Sequence, residues 1–123
     1  MPTRQEVALF LSDFKAAVSL GYVHWLNRAD ETKAPLSGLE ITRNQALDYL
    51  QSLTPDNYSK GPKPDDFDET RLVWTFGCDV DSTEAYIKLT MKPDPRRMTV
   101  VNALFWSFHE AEHPLNYPLR EDE

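Results

Sequence analysis

Cysteine and glycine are scarce in this chain, and no long apolar run is present. The single thiol, Cys78, can form neither an internal disulfide nor a multi-thiolate metal site. The four glycines, Gly21, Gly38, Gly61 and Gly77, are scattered, so no glycine-rich loop cradles a phosphate and P-loop or dinucleotide chemistry is disfavoured. The longest apolar stretch, 100–108, is interrupted by Asn102 and Ser107 and falls far short of a membrane span. The first residues, Met1-Pro2-Thr3-Arg4-Gln5-Glu6, lack the apolar core of a signal peptide. Together these lacks predict a cytoplasmic protein with no membrane partner, no metal and no cofactor.

Positive charge is also short. Lys and Arg number 13 against 20 Asp and Glu, a net charge of −7. Phosphate backbones attract Lys and Arg, so this balance weighs against nucleic acid unless the cations cluster. The bases after residue 59 (Lys60, Lys63, Arg71, Lys88, Lys92, Arg96, Arg97 and Arg120) leave room for such clustering.

What is present suits one packed domain spanning residues 1–123. Hydrophobic residues make up 41% and aromatics 11%, too much for a disordered chain. Thr3 and Glu6 form a capping-box pattern, and Val7, Phe10, Leu11, Phe14, Ala17 and Val18 then recur at helical spacing up to Gly21. A helix over 4–20 follows. Residues 22–26 fit a short strand or an extended link, and 27–38 read as a polar loop. Thr42 with Gln45 repeats the capping box, and Ala46, Leu47, Leu50 and Leu53 supply the apolar face of a helix over 43–53 that Pro55 ends. Residues 54–70, with three prolines and a run of carboxylates, read as an exposed loop.

Beyond residue 71 the period changes to two. Leu72, Trp74 and Phe76 share one face of a strand, and 79–84 form a polar turn. Ala85, Ile87, Leu89 and Met91 alternate with Tyr86, Lys88, Thr90 and Lys92, as in a half-buried strand. The loop 93–97 reverses the chain, and 98–109 has the β-branched and aromatic content of a central strand. Short links favour a meander. The expected fold is α+β, two N-terminal helices packed on a small antiparallel sheet of three to four strands.

Tyr86 and Lys88 share the polar face of one strand, and Ser107 and His109 share a face of the next. If these strands pair, a phenol, an ammonium, a hydroxyl and an imidazole meet on one surface. Metal-free RNA cleavage needs such groups: one to take the 2′-OH proton, one to protonate the leaving oxygen, and a cation for charge building on phosphate. A plain half-exposed strand shows the same alternation, so spacing alone does not choose. Tyr58 and Lys60, just after the second helix, add a phenol and a cation that fit either a substrate contact or ordinary turn chemistry.

Two other patterns compete. His109-Glu110-Ala111-Glu112-His113 matches H-E-x-x-H, whose zinc chemistry needs a helix that sets the two imidazoles one turn apart. Here the motif follows a β-like run and Pro114 comes straight after it, although periodicity leaves a helical reading of 100–113 open. The carboxylates Asp65, Asp66, Asp68 and Glu69, with Glu121, Asp122 and Glu123, suit an acidic module that binds a basic partner without catalysis. Cys78 lacks a nearby histidine in sequence and reads as structural.

The ordered segments then point to a family. After two helices come Asp56-Asn57-Tyr58-Ser59-Lys60-Gly61-Pro62, Val73-Trp74-Thr75-Phe76-Gly77 and Glu84-Ala85-Tyr86-Ile87-Lys88-Leu89. Last comes Ser107-Phe108-His109-Glu110-Ala111-Glu112-His113-Pro114-Leu115, with Tyr117-Pro118. Over roughly 3–118 this resembles the motility quorum-sensing regulator (MqsR) toxins of type II toxin–antitoxin systems, in particular their divergent branch. The resemblance implies a RelE-like fold, metal-independent cleavage of mRNA (an mRNA interferase) and restraint by a cognate antitoxin protein. It implies catalytic roles for Lys60, Tyr86 and Lys88, with His109 standing where a basic lysine is expected. Thr75 stands where a glutamine is expected. Tyr58, Ser107, Arg96 and Arg97 complete the expected site as substrate contacts.

Overall fold

Two capped helices and a sheet of β-branched and aromatic strands bury one continuous apolar cluster. The computed structural model describes residues 2–25, 41–64, 72–93 and 101–120. Both capping boxes form. Thr3 Oγ1 accepts from the Glu6 amide and the Glu6 carboxylate accepts from the Thr3 amide, which starts helix α1 (Arg4–Ser19). Thr42 and Gln45 do the same for α2 (Arg43–Gln51). Each cap satisfies donors that the first helical turn leaves unpaired, worth about 1 kcal/mol. The expected α1 residues Val7, Leu11, Phe14 and Ala17 are buried, as are Ala46 and Leu50 of α2.

The sheet is larger than the sequence pattern suggests, and it is mixed. Among the described residues it has five strands: β1 (Val23–Trp25), β2 (Tyr58–Pro64), β3 (Leu72–Val80), β4 (Thr83–Pro93) and β5 (Val101–Glu110). Their order is β1-β5-β4-β3-β2. The expected meander β3-β4-β5 is present and antiparallel. Two corrections enlarge it. Residues 58–64, read as loop because of their prolines, form edge strand β2, where Pro62 and Pro64 need no ladder donor on the open side. A single 3₁₀ turn, Pro55–Asn57, leads into it. The short segment 23–25 pairs with 103–105 in parallel, so the sheet is not purely antiparallel, and β1 falls between the two helices in chain order. The expected loops at 27–38 and 93–97 lie mostly outside the described residues.

Both helices lie on one face. Phe10 stacks on Trp74 with ring centroids 4.5 Å apart, and Phe14 meets Phe105 edge-on at 5.3 Å. Trp25 of β1 stacks on Phe105 at 4.2 Å. Ala85, Ile87 and Leu89 of β4 complete this face, so the alternating residues Tyr86, Lys88 and Thr90 belong to the other. No helix of the described residues is long and apolar enough to cross a membrane.

The β3–β4 hairpin turns on Asp81 and Ser82, with φ of 52° and 71°. Positive φ at both central positions is what a right-twisted two-residue hairpin requires, and it is strained for residues with a Cβ. Asn and Gly relieve that strain. The double variant D81N/S82G is expected to stabilise the fold by about 0.5–1 kcal/mol, read as a rise of a few degrees in Tm. No rise would mean that the two side chains offset the backbone cost.

Candidate functional site

The site face is set by register. Across β2, β3, β4 and β5, Lys60 pairs with Thr75, Thr75 with Lys88, and Lys88 with Ser107. Two residues along, and so on the same face, Gly77 pairs with Tyr86 and Tyr86 with His109. Strands are spaced about 4.8 Å apart, so these two rows bring the expected residues into neighbouring columns.

His109 reaches this face because β5 is bulged. Lys88 faces Ser107 but Leu89 faces Phe105, so Trp106 is an extra residue in the ladder. Phe105 and Phe108 are consequently both buried on the helix side, three residues apart rather than two or four. Without the insertion, strict alternation from Phe105 would turn His109 into the core. With it, His109 stacks on Tyr86, ring centroids 5.1 Å apart and planes 18° from parallel.

The chain after β5 forms the opposite wall. Glu84, at the start of β4, holds it at three points. Its carbonyl accepts from the Ala111 amide (2.9 Å), and its carboxylate accepts from the Leu115 amide (3.1 Å) and the Tyr117 hydroxyl (2.5 Å). Burial and the Glu84 carboxylate push the Tyr117 phenol well above its ordinary pKa, so it remains a donor. Further on, the Leu119 carbonyl accepts from Arg4, which also pairs with Asp56 at 2.7 Å. Gly77 makes this path possible. A Cβ there would lie 2.5 Å from Leu115 Cδ1 and collide with the Tyr117 hydroxyl.

Between the sheet face and this strap lies a groove of about 490 Å³, lined by Lys60, Tyr86, Lys88, His109, Glu112, His113, Pro114 and Leu115. The four residues expected to be catalytic therefore line one cavity. Among the described residues neither lysine makes an ion pair. His109 Nδ1 lies 2.8 Å from its neighbour's carbonyl, Glu110 O. A carbonyl can only accept, so Nδ1 carries a proton and the neutral ring presents its lone pair at Nε2. A larger cleft of about 750 Å³ lies between α1 and β2, lined by Leu9, Tyr58, Trp74 and Pro62 among others. It has one amine, Lys63, and one carboxylate, Glu6, but no imidazole, so we place the chemistry in the smaller groove.

No family model, curated protein or solved structure matches this chain.

Other expected residues stand differently. Tyr58 does not join the groove: it is 2% exposed, packs edge-on against Trp74 and Phe76, and donates to the Gly61 carbonyl. Its ring and hydroxyl are engaged by these neighbours, and it lines the larger cleft instead. Ser107 sits beside Lys88 in the ladder. Arg96 and Arg97 lie outside the described residues, as do Asp65, Asp66, Asp68, Glu69 and the terminal 121–123 carboxylates. Thr75 is buried at the register position between the two lysines. The H-E-x-x-H pattern does not form its helix, because His109 and Glu110 end β5 and the following residues bend away. Its two imidazoles are thus not set one turn apart, and no group of three His, Cys, Asp or Glu among the described residues is arranged to hold a metal ion. Sequence reasoning did not place Glu112, His113 and the strap at the groove, since nothing local in 111–117 marks which surface it crosses.

Cys78 is half-buried against the core, and burial together with Asp79 pushes its thiol up to about 11. It is expected to react with iodoacetamide at pH 8 on the order of 10²-fold more slowly than free cysteine, recovering on denaturation. Fast modification of the native protein would show that the thiol is activated. A second expectation tests the strap. G77A should cost about 1–3 kcal/mol in denaturant unfolding, and much less in an L115A/Y117F background where the colliding atoms are gone. Equal cost in both backgrounds would mean that the strap does not lie on Gly77.

Proposed function

We propose that this protein is a metal-independent endoribonuclease that cleaves mRNA, a RelE-like toxin of the MqsR kind. One observation carries the reading: Lys60, Tyr86, Lys88 and His109, distributed over three strands and 50 residues of sequence, line a single groove. Such a groove holds the parts that 2′-OH attack on phosphate requires. His109 Nε2 is the general base. Lys88 and Lys60 provide ammonium donors for the non-bridging oxygens as charge builds on phosphorus, and Tyr86 fixes the imidazole by stacking and orients the 2′-OH or the scissile phosphate.

The arrangement of two helices on one sheet face and the groove on the other supports the RelE-like placement. mRNA as substrate, a cognate antitoxin protein as partner and a cytoplasmic setting come from the likeness of the ordered segments to MqsR toxins. The net charge of −7 is distributed over the whole chain, while the described groove lining has two lysines against one carboxylate, Glu112.

The test is cleavage of a defined mRNA by purified protein in excess EDTA, with growth arrest on induction as the cellular readout. Wild type is expected to cleave, and H109A and K88A each to lose about 10²-fold or more of that rate. If both variants cleave and arrest growth like wild type, the groove is not the active site.

A further inference from the structure

The groove contains a second imidazole that the reading above leaves without a task. We infer that His113 is the general acid of the reaction, which protonates the 5′-oxygen as it leaves. This rests on the ribonuclease reading and adds a residue to it.

Two observations support the assignment. His113 lines the same groove as His109, from the opposite wall. The backbone that carries it is held in place, because the amides two residues before and two after it, Ala111 and Leu115, are each bonded to Glu84. His113 is exposed, but the backbone that carries it is bracketed by anchors on both sides, and its side chain lines the groove that holds the base. Facing the pair are Lys60 from β2, Tyr86 and Lys88 from β4, and Glu112 from the strap itself.

The chemistry asks for two proton-transfer groups on opposite sides of the phosphorus. His109 is assigned the base's part, since with Nδ1 directed at the Glu110 carbonyl its neutral form presents Nε2 as the acceptor. One group cannot take the 2′ proton and at the same moment give a proton to the departing oxygen. In the proposed step His109 Nε2 takes the 2′-OH proton and the 2′-oxygen bonds to phosphorus. The phosphorus–O5′ bond breaks, its electron pair stays on O5′, and His113 delivers a proton there. The products are a 2′,3′-cyclic phosphate and a free 5′-hydroxyl, and exchange with water restores both rings.

A base that must be neutral and an acid that must be charged give a bell-shaped dependence of kcat/KM on pH. The experiment compares wild type, H113A, H113N, H109A and Y86F on an unstructured RNA oligonucleotide and on the same oligonucleotide with sulfur as the bridging 5′ atom. Sulfur leaves without needing a proton. H113A and H113N are expected to lose about 10²-fold or more on the oxygen substrate, to lose the alkaline limb of the profile, and to return to within several-fold of wild type on the sulfur substrate. H109A is expected to be deficient on both. Equal losses of the His113 variants on the two substrates, or an unchanged bell, would overturn the assignment while leaving the ribonuclease reading intact. Sulfur rescue of Y86F instead would transfer the role to the phenol and overturn it as well. If wild type cleaves neither substrate, the ribonuclease reading fails, and this assignment fails with it.

Discussion

The path of residues 111–117 depends on one residue, Glu84. Once β5 ends, the chain has left the ladder, and backbone amides that leave a sheet need other partners or water. Glu84 provides three acceptors from one position: its own carbonyl and both carboxylate oxygens. These bonds are the only ones among the described residues that hold 111–117 against β4. The strap they hold makes a groove out of what would otherwise be an open sheet face. Hydrogen bonds to an ionised acceptor are stronger than neutral ones. Burial of the Tyr117 hydroxyl strengthens the bond further by keeping competing water away.

The clamp works only because the opposing surface is empty. Gly77 lies in the middle of β3, where a glycine has no side chain to pack and weakens a strand. Its use here is a close approach. The hydroxyl of Tyr117 and the methyl of Leu115 occupy the volume that a side chain would take. The Asn57 side chain donates to the Gly77 carbonyl at 2.9 Å, so the backbone at this position is also tied to the 3₁₀ turn. Gly61 resembles it at the sheet edge: its φ of 105° and the Val73 carbonyl 2.5 Å from a would-be Cβ both demand glycine. Two of the four scattered glycines thus serve close packing and neither serves phosphate binding.

Local signals were legible in the sequence, and non-local ones were not. The two helices declared themselves through capping boxes and period, because both signals are complete within a dozen residues. Strands β3 and β4 declared themselves through alternation. Strand β2 was hidden because Gly61, Pro62 and Pro64 are turn formers everywhere except at a sheet edge, and edge position is a property of the assembled sheet. The parallel pairing of β1 was hidden because three residues carry no information about a partner 80 positions away. At the site, Tyr86, Lys88 and His109 were legible as strand faces. The bulge that brings His109 to the correct face was not, since residues 98–109 are apolar on both sides and give alternation nothing to count. Tyr58 lies outside the groove for a related reason: its neighbours in sequence are polar, but Trp74 and Phe76, its neighbours in space, are not.

On the proposed reading, an acidic protein acting on a polyanion works under a particular constraint. Long-range attraction is absent, since a net charge of −7 repels RNA beyond the screening length of about 8 Å at physiological salt. At contact the local charges dominate, and the groove offers two ammonium groups among its described lining. Neutralising about two phosphates releases few counterions, so affinity for single-stranded RNA would vary with salt far less steeply than for a basic nuclease. Binding through so few contacts is weak. Weak ground-state binding does not oppose catalysis, because only interactions that strengthen in the transition state accelerate the step. On the proposed reading those interactions are the ones centred on the phosphate: two lysines that would meet charge as it develops, and two imidazoles of the same groove that would meet protons as they move. A sheet face that a carboxylate and a missing side chain have turned into a groove suits that task, since it fixes the reacting groups while leaving the rest of the RNA unheld.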